Sequence, residues 1–123
     1  MKETSNPSLA AAQSSSIRGD IKANVAHHVE LAKAAAKPGA NFIVFSELSL
    51  TGYEPELARG FAAKATDPRM KPLRRISLER GIGVVADAPM LTDIGLHIAA
   101  FVYRPPGEPL VYTKHHLHKG ERL

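Results

Sequence analysis

Ile21, Val25, Val29, Ala32 and Ala36 recur at steps of four, four, three and four residues, the spacing of a single helix face. Asp20 stands immediately ahead of them as an N-cap, its carboxylate able to accept from first-turn amides, and Pro38 with Gly39 stops the run. Phe42 to Phe45 shows a different pattern: an unbroken apolar run bounded by loop formers, as expected of a buried strand. Upstream, Leu9 to Gln13 predicts a first strand, although alanine is a weak strand former. Strand, helix and strand in this order make a crossover unit, whose two strands run parallel.

The second half continues the alternation. A short helical turn is expected from Pro55 to Phe61, and Pro68 to Arg80 reads as a helix with proline at its start and Gly81 at its end. Ile82 to Ala86 and Leu96 to Tyr103 are apolar runs that predict two more buried strands. "PPGE" then punctuates a turn before Leu110 to Thr113, which suggests an antiparallel hairpin of the last two strands. The predicted fold class is α/β, a mixed sheet with flanking helices that begins parallel and turns antiparallel. Strand Leu110 to Thr113 would stand near an open edge, which natural sheets usually cover. The sheet is therefore expected to be incomplete, part of a larger fold.

Composition adds bounds. The chain has 123 residues, 44% hydrophobic and 23% charged, in the range of one ordinary globular domain. No apolar run approaches the roughly 20 residues that cross a bilayer, and "MKETSNPSLAAAQSSS" lacks the apolar core of a secretory leader. A cytoplasmic protein with no membrane partner is the expectation. The formal charge of +4 collects in the second half, in "PRMKPLRR" and "KHHLHKGER". Few aromatics accompany these basic residues, so a solvated face accounts for them better than a nucleic-acid partner does. The absence of cysteine excludes disulfides, thiolate metal sites and a cysteine nucleophile within these residues.

Glu47 is the first candidate for chemistry. It follows the Phe42 to Phe45 strand by two residues, and ligands of open α/β sheets gather outside the carboxyl ends of strands. A carboxylate there can serve as an acid or base; equally, it can satisfy the amides of the turn before "LTGY". Position alone leaves both readings open. Lys114 directly follows the last predicted strand, where a lysine near a glutamate can stabilise a developing oxyanion or simply be solvated. His115, His116 and His118 invite a metal, but neighbours on an extended segment point in opposite directions, so at most two share a face. His27 and His28 fall off the main apolar line of their helix and read as surface or boundary residues. Gly81 and Gly83 precede a strand and lack a third glycine, so they make no dinucleotide loop. No metal and no cofactor is implied.

"FSELSLTGYEP" and "VYTKHHLHKGE", taken together and in this order, resemble two signature segments of the nitrilase superfamily of carbon-nitrogen hydrolases. The opening "AAQ", with Gly19, Asp20 and Asn24, is similar to that family's N-terminus. The resemblance implies the N-terminal part of an αββα sandwich and a Cys-Glu-Lys mechanism acting on an amide, nitrile or carbamoyl C–N bond. By the same resemblance Glu47 matches the general base, with Ser46 where proline is more usual. Lys114 matches the catalytic lysine, Glu121 the second glutamate, and His116 with Leu117 the structural pair of the motif.

The family's cysteine lies on a later segment than any matched here. Two readings follow for residues 1–123. The chain is a partial hydrolase domain that ends before the nucleophile segment, inactive alone and handling a small amide or nitrile only when complete. The alternative is a catalytically dead α/β module kept for binding or oligomerisation. In either case an apolar sheet face is left for a missing C-terminal half or another copy of the chain to cover.

Overall fold

The computed structural model describes residues 8–12, 16–18, 20–46, 48–51, 66–92, 95–105 and 107–116, with backbone alone at 91, 92, 96 and 114–116. The described elements are β1 (Leu9–Ala12), α1 (Ile21–Ala36), β2 (Phe42–Phe45), a 3₁₀ turn (Pro68–Met70), α2 (Lys71–Arg80), β3 (Gly83–Thr92), β4 (Gly95–Tyr103) and β5 (Leu110–His116). The helical turn expected at Pro55 to Phe61 lies outside the described residues. No described helix is long and apolar enough to cross a membrane.

α1 begins and ends where its sequence dictates, and α2 ends so. Asp20 accepts from the Ala23 amide at 3.0 Å, closing the N-terminus of α1. The stretch expected as one helix from Pro68 to Arg80 divides. Asp67 caps the 3₁₀ turn by accepting from the Arg69 amide, and the α-helix proper starts at Lys71 with Pro72 in its first turn. Gly81, at φ +62°, ends α2 in the left-handed conformation, which glycine adopts without a Cβ penalty.

The five strands lie in the order β1-β2-β3-β4-β5. β1, β2 and β3 are parallel neighbours; β3 with β4 and β4 with β5 are antiparallel. This is the mixed sheet that the sequence predicts, and β5 runs in the same sense as β2. Three strands exceed their expected lengths. β3 was expected to stop at Ala86 but continues to Thr92, through Asp87 and Pro89. β2 pairs with β3 only as far as Val85, so Pro89 occupies a flank where β2 forms no ladder and no amide is missed. β4 begins one residue early, at Gly95, and β5 runs on past Thr113 to His116. At the other end, β1 is described to Ala12 and Gln13 lies outside the described residues.

α1 and α2 cover one face of the sheet. Ile21, Val25 and Ala32 of α1 and Leu73 and Ile76 of α2 form a single cluster with Ile43, Phe45, Val84, Ala86, Ala99, Phe101 and Tyr103. Ser77 donates to the Tyr103 carbonyl at 3.1 Å, tying α2 to β4. The alternate residues face the other way. Phe42, Val44, Val85, Val102 and Leu110 are only half-buried, while Leu9 and Tyr112 are 67% and 60% exposed. No described element forms a second layer over this apolar face. On it the Phe42 ring lies where a side chain at Gly83, its ladder partner, would stand.

Candidate active site

β2 delivers the chain to the C-terminal rim of the sheet, where Ser46 and the turn 48–51 are tied from several sides. Ser49 N–H donates to the Ser46 carbonyl and Thr51 N–H to the Leu48 carbonyl, at 3.1 and 3.2 Å. Leu48 has φ +55°, a left-handed conformation that costs a non-glycine residue about 1 kcal/mol. Leu48, Ser49, Leu50 and Thr51 are nevertheless all buried, whereas connecting segments ordinarily run over the surface.

The polar groups of this turn are met from three directions. From β3, the Asp87 carbonyl accepts from Leu50 N–H at 3.0 Å, at the point where β3 has outrun β2. From the segment before α1, Ser16 Oγ donates to the Ser49 carbonyl at 2.7 Å. From α1 come Asn24 and His28. Asn24 accepts from Ile17 N–H at 2.7 Å and donates to the Ile17 and Leu50 carbonyls at 2.8 and 2.9 Å. His28 Nε2 lies 2.8 Å from Ser49 Oγ, and its ring stacks on Phe45, centroid to centroid at 3.9 Å.

His28 is 1% exposed, which corrects the expectation of a surface or boundary residue; His27 is exposed. The helix line drawn through Val29 and Ala36 is the flank of the buried stripe. Its centre is Ile21, Asn24, Val25, His28 and Ala32, so two polar residues one turn apart sit where core residues are expected. That interruption of a helix face is the signal by which sequence reasoning could have found them. Burial disfavours the imidazolium and lowers the His28 pKa to about 4. The Asn24 backbone carbonyl partly offsets this, and the neighbouring His27 adds to it. His28 is therefore neutral at physiological pH, and its Nδ1 has no hydrogen-bond partner among the described residues.

Of the three residues singled out for catalysis, Glu47 and Glu121 lie outside the described residues. In the chain Glu47 stands between Ser46 and Leu48. Lys114 lies within β5 and not after it, which corrects the expected placement. It is also the extra residue of a β-bulge: Thr113 pairs with Ala99 and His115 with Ile98, adjacent on β4. Bulges re-aim side chains and occur often beside active sites.

The ladder places these two segments at one level. Val44 pairs with Val85, so Ser46 follows at the level of Asp87, whose row continues through Ala100 to Tyr112. The next row ends on Thr113, beside Lys114. Ser49 and His28 superficially resemble a nucleophile with its base, but Ser49 is 1% exposed and no substrate reaches its hydroxyl.

The family model for carbon-nitrogen hydrolases matches residues 8–122. Among solved structures, an amidase from Nesterenkonia sp. is 28% identical, with a TM-score of 0.75 over 93% of this chain and 44% of that one. A variant of the Nesterenkonia sp. AN1 amidase in complex with butyramide is likewise 28% identical, with a TM-score of 0.75 over 93% and 45%. A CN-hydrolase superfamily protein from Xanthomonas campestris with an arsenic adduct in its active site shares the fold at 19% identity, with a TM-score of 0.76 over 91% and 42%. The chain thus spans under half the length of each of these structures. No curated protein matches it by sequence.

Proposed function

Because this chain belongs to the carbon-nitrogen hydrolase family, we propose that it supplies the base and the oxyanion donor of an enzyme that hydrolyses a small non-peptide amide. Glu47 is the base, Lys114 the donor, and Glu121 the group that holds Lys114 in place. The observation that carries this reading is the common rim: β2 and β5 run in one sense, and the tied turn and the bulge meet adjacent rows of the same ladder. Leu50 leans onto β3, two strand spacings from β5, about 10 Å of backbone separation. Glutamate and lysine side chains together span such a gap.

In this reading a cysteine thiol attacks the amide carbon while Glu47 takes its proton, and Lys114 stabilises the negative oxygen of the tetrahedral adduct. Collapse expels ammonia, which leaves with the proton from Glu47, and a thioester remains. Glu47 then removes a proton from water, which attacks the thioester; the acid departs and the thiol is restored. The nucleophile is not among these 123 residues. The chain alone is therefore inactive by this route, and a cysteine-bearing polypeptide completes it. The amide class is favoured because the solved relatives include an amidase with butyramide bound.

The test is to follow the coding sequence past Leu123 and assay the polypeptide it specifies for ammonia release from butyramide. Glu47→Gln and Lys114→Met should each lower kcat at least about 100-fold. Ammonia release by residues 1–123 alone, abolished by Glu47→Gln, would overturn the need for a cysteine.

The half-covered sheet face favours a second reading, a catalytically dead module that pairs through that face. Sheets stack about 10 Å apart when apolar faces meet, and Leu9, Val44, Val102 and Tyr112 offer such a face. A clean stop after Leu123, with a defined oligomer in analytical ultracentrifugation that Val102→Lys dissociates, would establish this reading over the first.

A further inference from the structure

We infer that Asn24 and His28 are positioning residues for the proposed base, holding residues 48–51, the turn that follows Glu47 in the chain. The inference rests on the catalytic reading of Glu47 and Lys114. It goes beyond that reading by assigning a task to two residues of α1 outside both signature segments, one of which, Asn24, belongs to the stretch that resembles the family's N-terminus.

Three observations carry it. The two side chains are four apart on one helix face and reach successive residues of the same turn, Asn24 the Leu50 carbonyl and His28 the Ser49 hydroxyl. The described residues on either side of Glu47 in the chain are held: β2 runs in the ladder up to Phe45, and residues 48–51 are anchored. His28 also stacks on Phe45, so one imidazole touches the strand before Glu47 and the turn after it.

The second observation is cost. Burying an amide and an imidazole means desolvating polar groups, and each needs a partner to offset the loss. An apolar pair on α1 would fill the same stripe without that cost, but it could not grip carbonyls and a hydroxyl. The third is the left-handed Leu48, adjoining Glu47. Backbone strain of this kind persists only where its surroundings over-determine it, and it clusters at active sites. Functional groups must be held within roughly 0.5 Å of their productive position, which falls to the supporting residues.

Carbodiimide coupling tests this on the full 123-residue chain in whatever assembly it forms. The reagent activates a carboxylate, and an amine in contact with it displaces the urea to leave an amide bond, read by mass spectrometry of the digest. Glu30 and Lys33, 3.4 Å apart on the exposed side of α1, serve as the internal standard. The expected result is a Glu47–Lys114 cross-link that falls at least fivefold, relative to the standard, in Asn24→Ala and in His28→Leu. Ser49→Ala, which removes only a hydroxyl, should give an intermediate loss. His28→Gln, whose Nε2 can replace that of the imidazole, should restore the yield.

Gly81→Ala, destabilised at the remote end of α2, should keep the cross-link in full. A Glu47–Lys114 yield unchanged in all three loss variants would overturn the positioning role, as would an equal loss in Gly81→Ala. No Glu47–Lys114 cross-link in the wild-type chain would instead defeat the catalytic pairing on which the inference rests.

Discussion

The Asn24 side-chain amide donates to the Leu50 carbonyl at 2.9 Å, joining α1 to the turn after β2 across 26 residues of sequence. The same side chain also makes a reciprocal pair with the Ile17 backbone. Asn24→Ala removes all three bonds and leaves one amide and two carbonyls to find other partners in a site that is 3% exposed. The expected loss of stability is about 3 kcal/mol, measurable as a lowered urea midpoint with an unchanged slope.

His28 makes stability depend on acid. Its folded pKa of about 4 lies below the ordinary 6.5, so between these values the unfolded chain binds a proton that the folded chain refuses. Stability from this residue is fully present above pH 6.5 and is lost as pH falls towards 4, on the order of 3 kcal/mol in all. Urea midpoints taken across that window should fall in the wild type. In His28→Gln the part of the fall due to this residue should vanish, flattening the profile relative to wild type.

Gly83 and Phe42 are expected to be coupled. A methyl group at Gly83 collides with the Phe42 ring, so Gly83→Ala should cost about 2 kcal/mol. Combined with Phe42→Leu, which clears the space, the cost should be smaller than the sum of the two single effects. Additive losses in thermal unfolding would show that the ring moves aside freely.

Gly81→Ala meets no neighbour within 4 Å, and the residue has φ +62°. The penalty is therefore one of backbone conformation alone, about 1 kcal/mol. A change to asparagine, which tolerates the left-handed region better, should cost less; equal losses for the two variants would point to a different cause.

What the sequence made legible follows a physical division. Apolar runs located every described strand, and spacing located α1, because burial is written in residue type. Pro38 and Gly81 marked helix ends for the same local reason. The extension of β3 through Pro89 was hidden because proline's tolerance depends on β2 stopping at Phe45, a fact about a neighbour 44 residues away. The bulge at Lys114 was hidden because it is a mismatch between two strands, and neither strand carries it alone. His28 was misplaced for a related reason. Its burial is stabilised by Ser49 and Phe45, partners that helical periodicity does not see. The family motifs drew attention to Glu47 and Lys114, and the N-terminal resemblance named Asn24 without a task, but none of them contains His28.

The common sense of β2 and β5 restricts how any completing polypeptide can approach. On the reading proposed above, a nucleophile serving Glu47 and Lys114 would enter over the rim where both strands leave the sheet. The opposite rim, where Asn41 accepts from Gly83 N–H at 2.7 Å, leads away from them. A second copy or a trailing segment lying flat across the apolar face would therefore add stability, yet contribute to chemistry only if it also projects a side chain past the end of β2. Covering the sheet and supplying the thiol are separable tasks, and a partner selected for one need not perform the other.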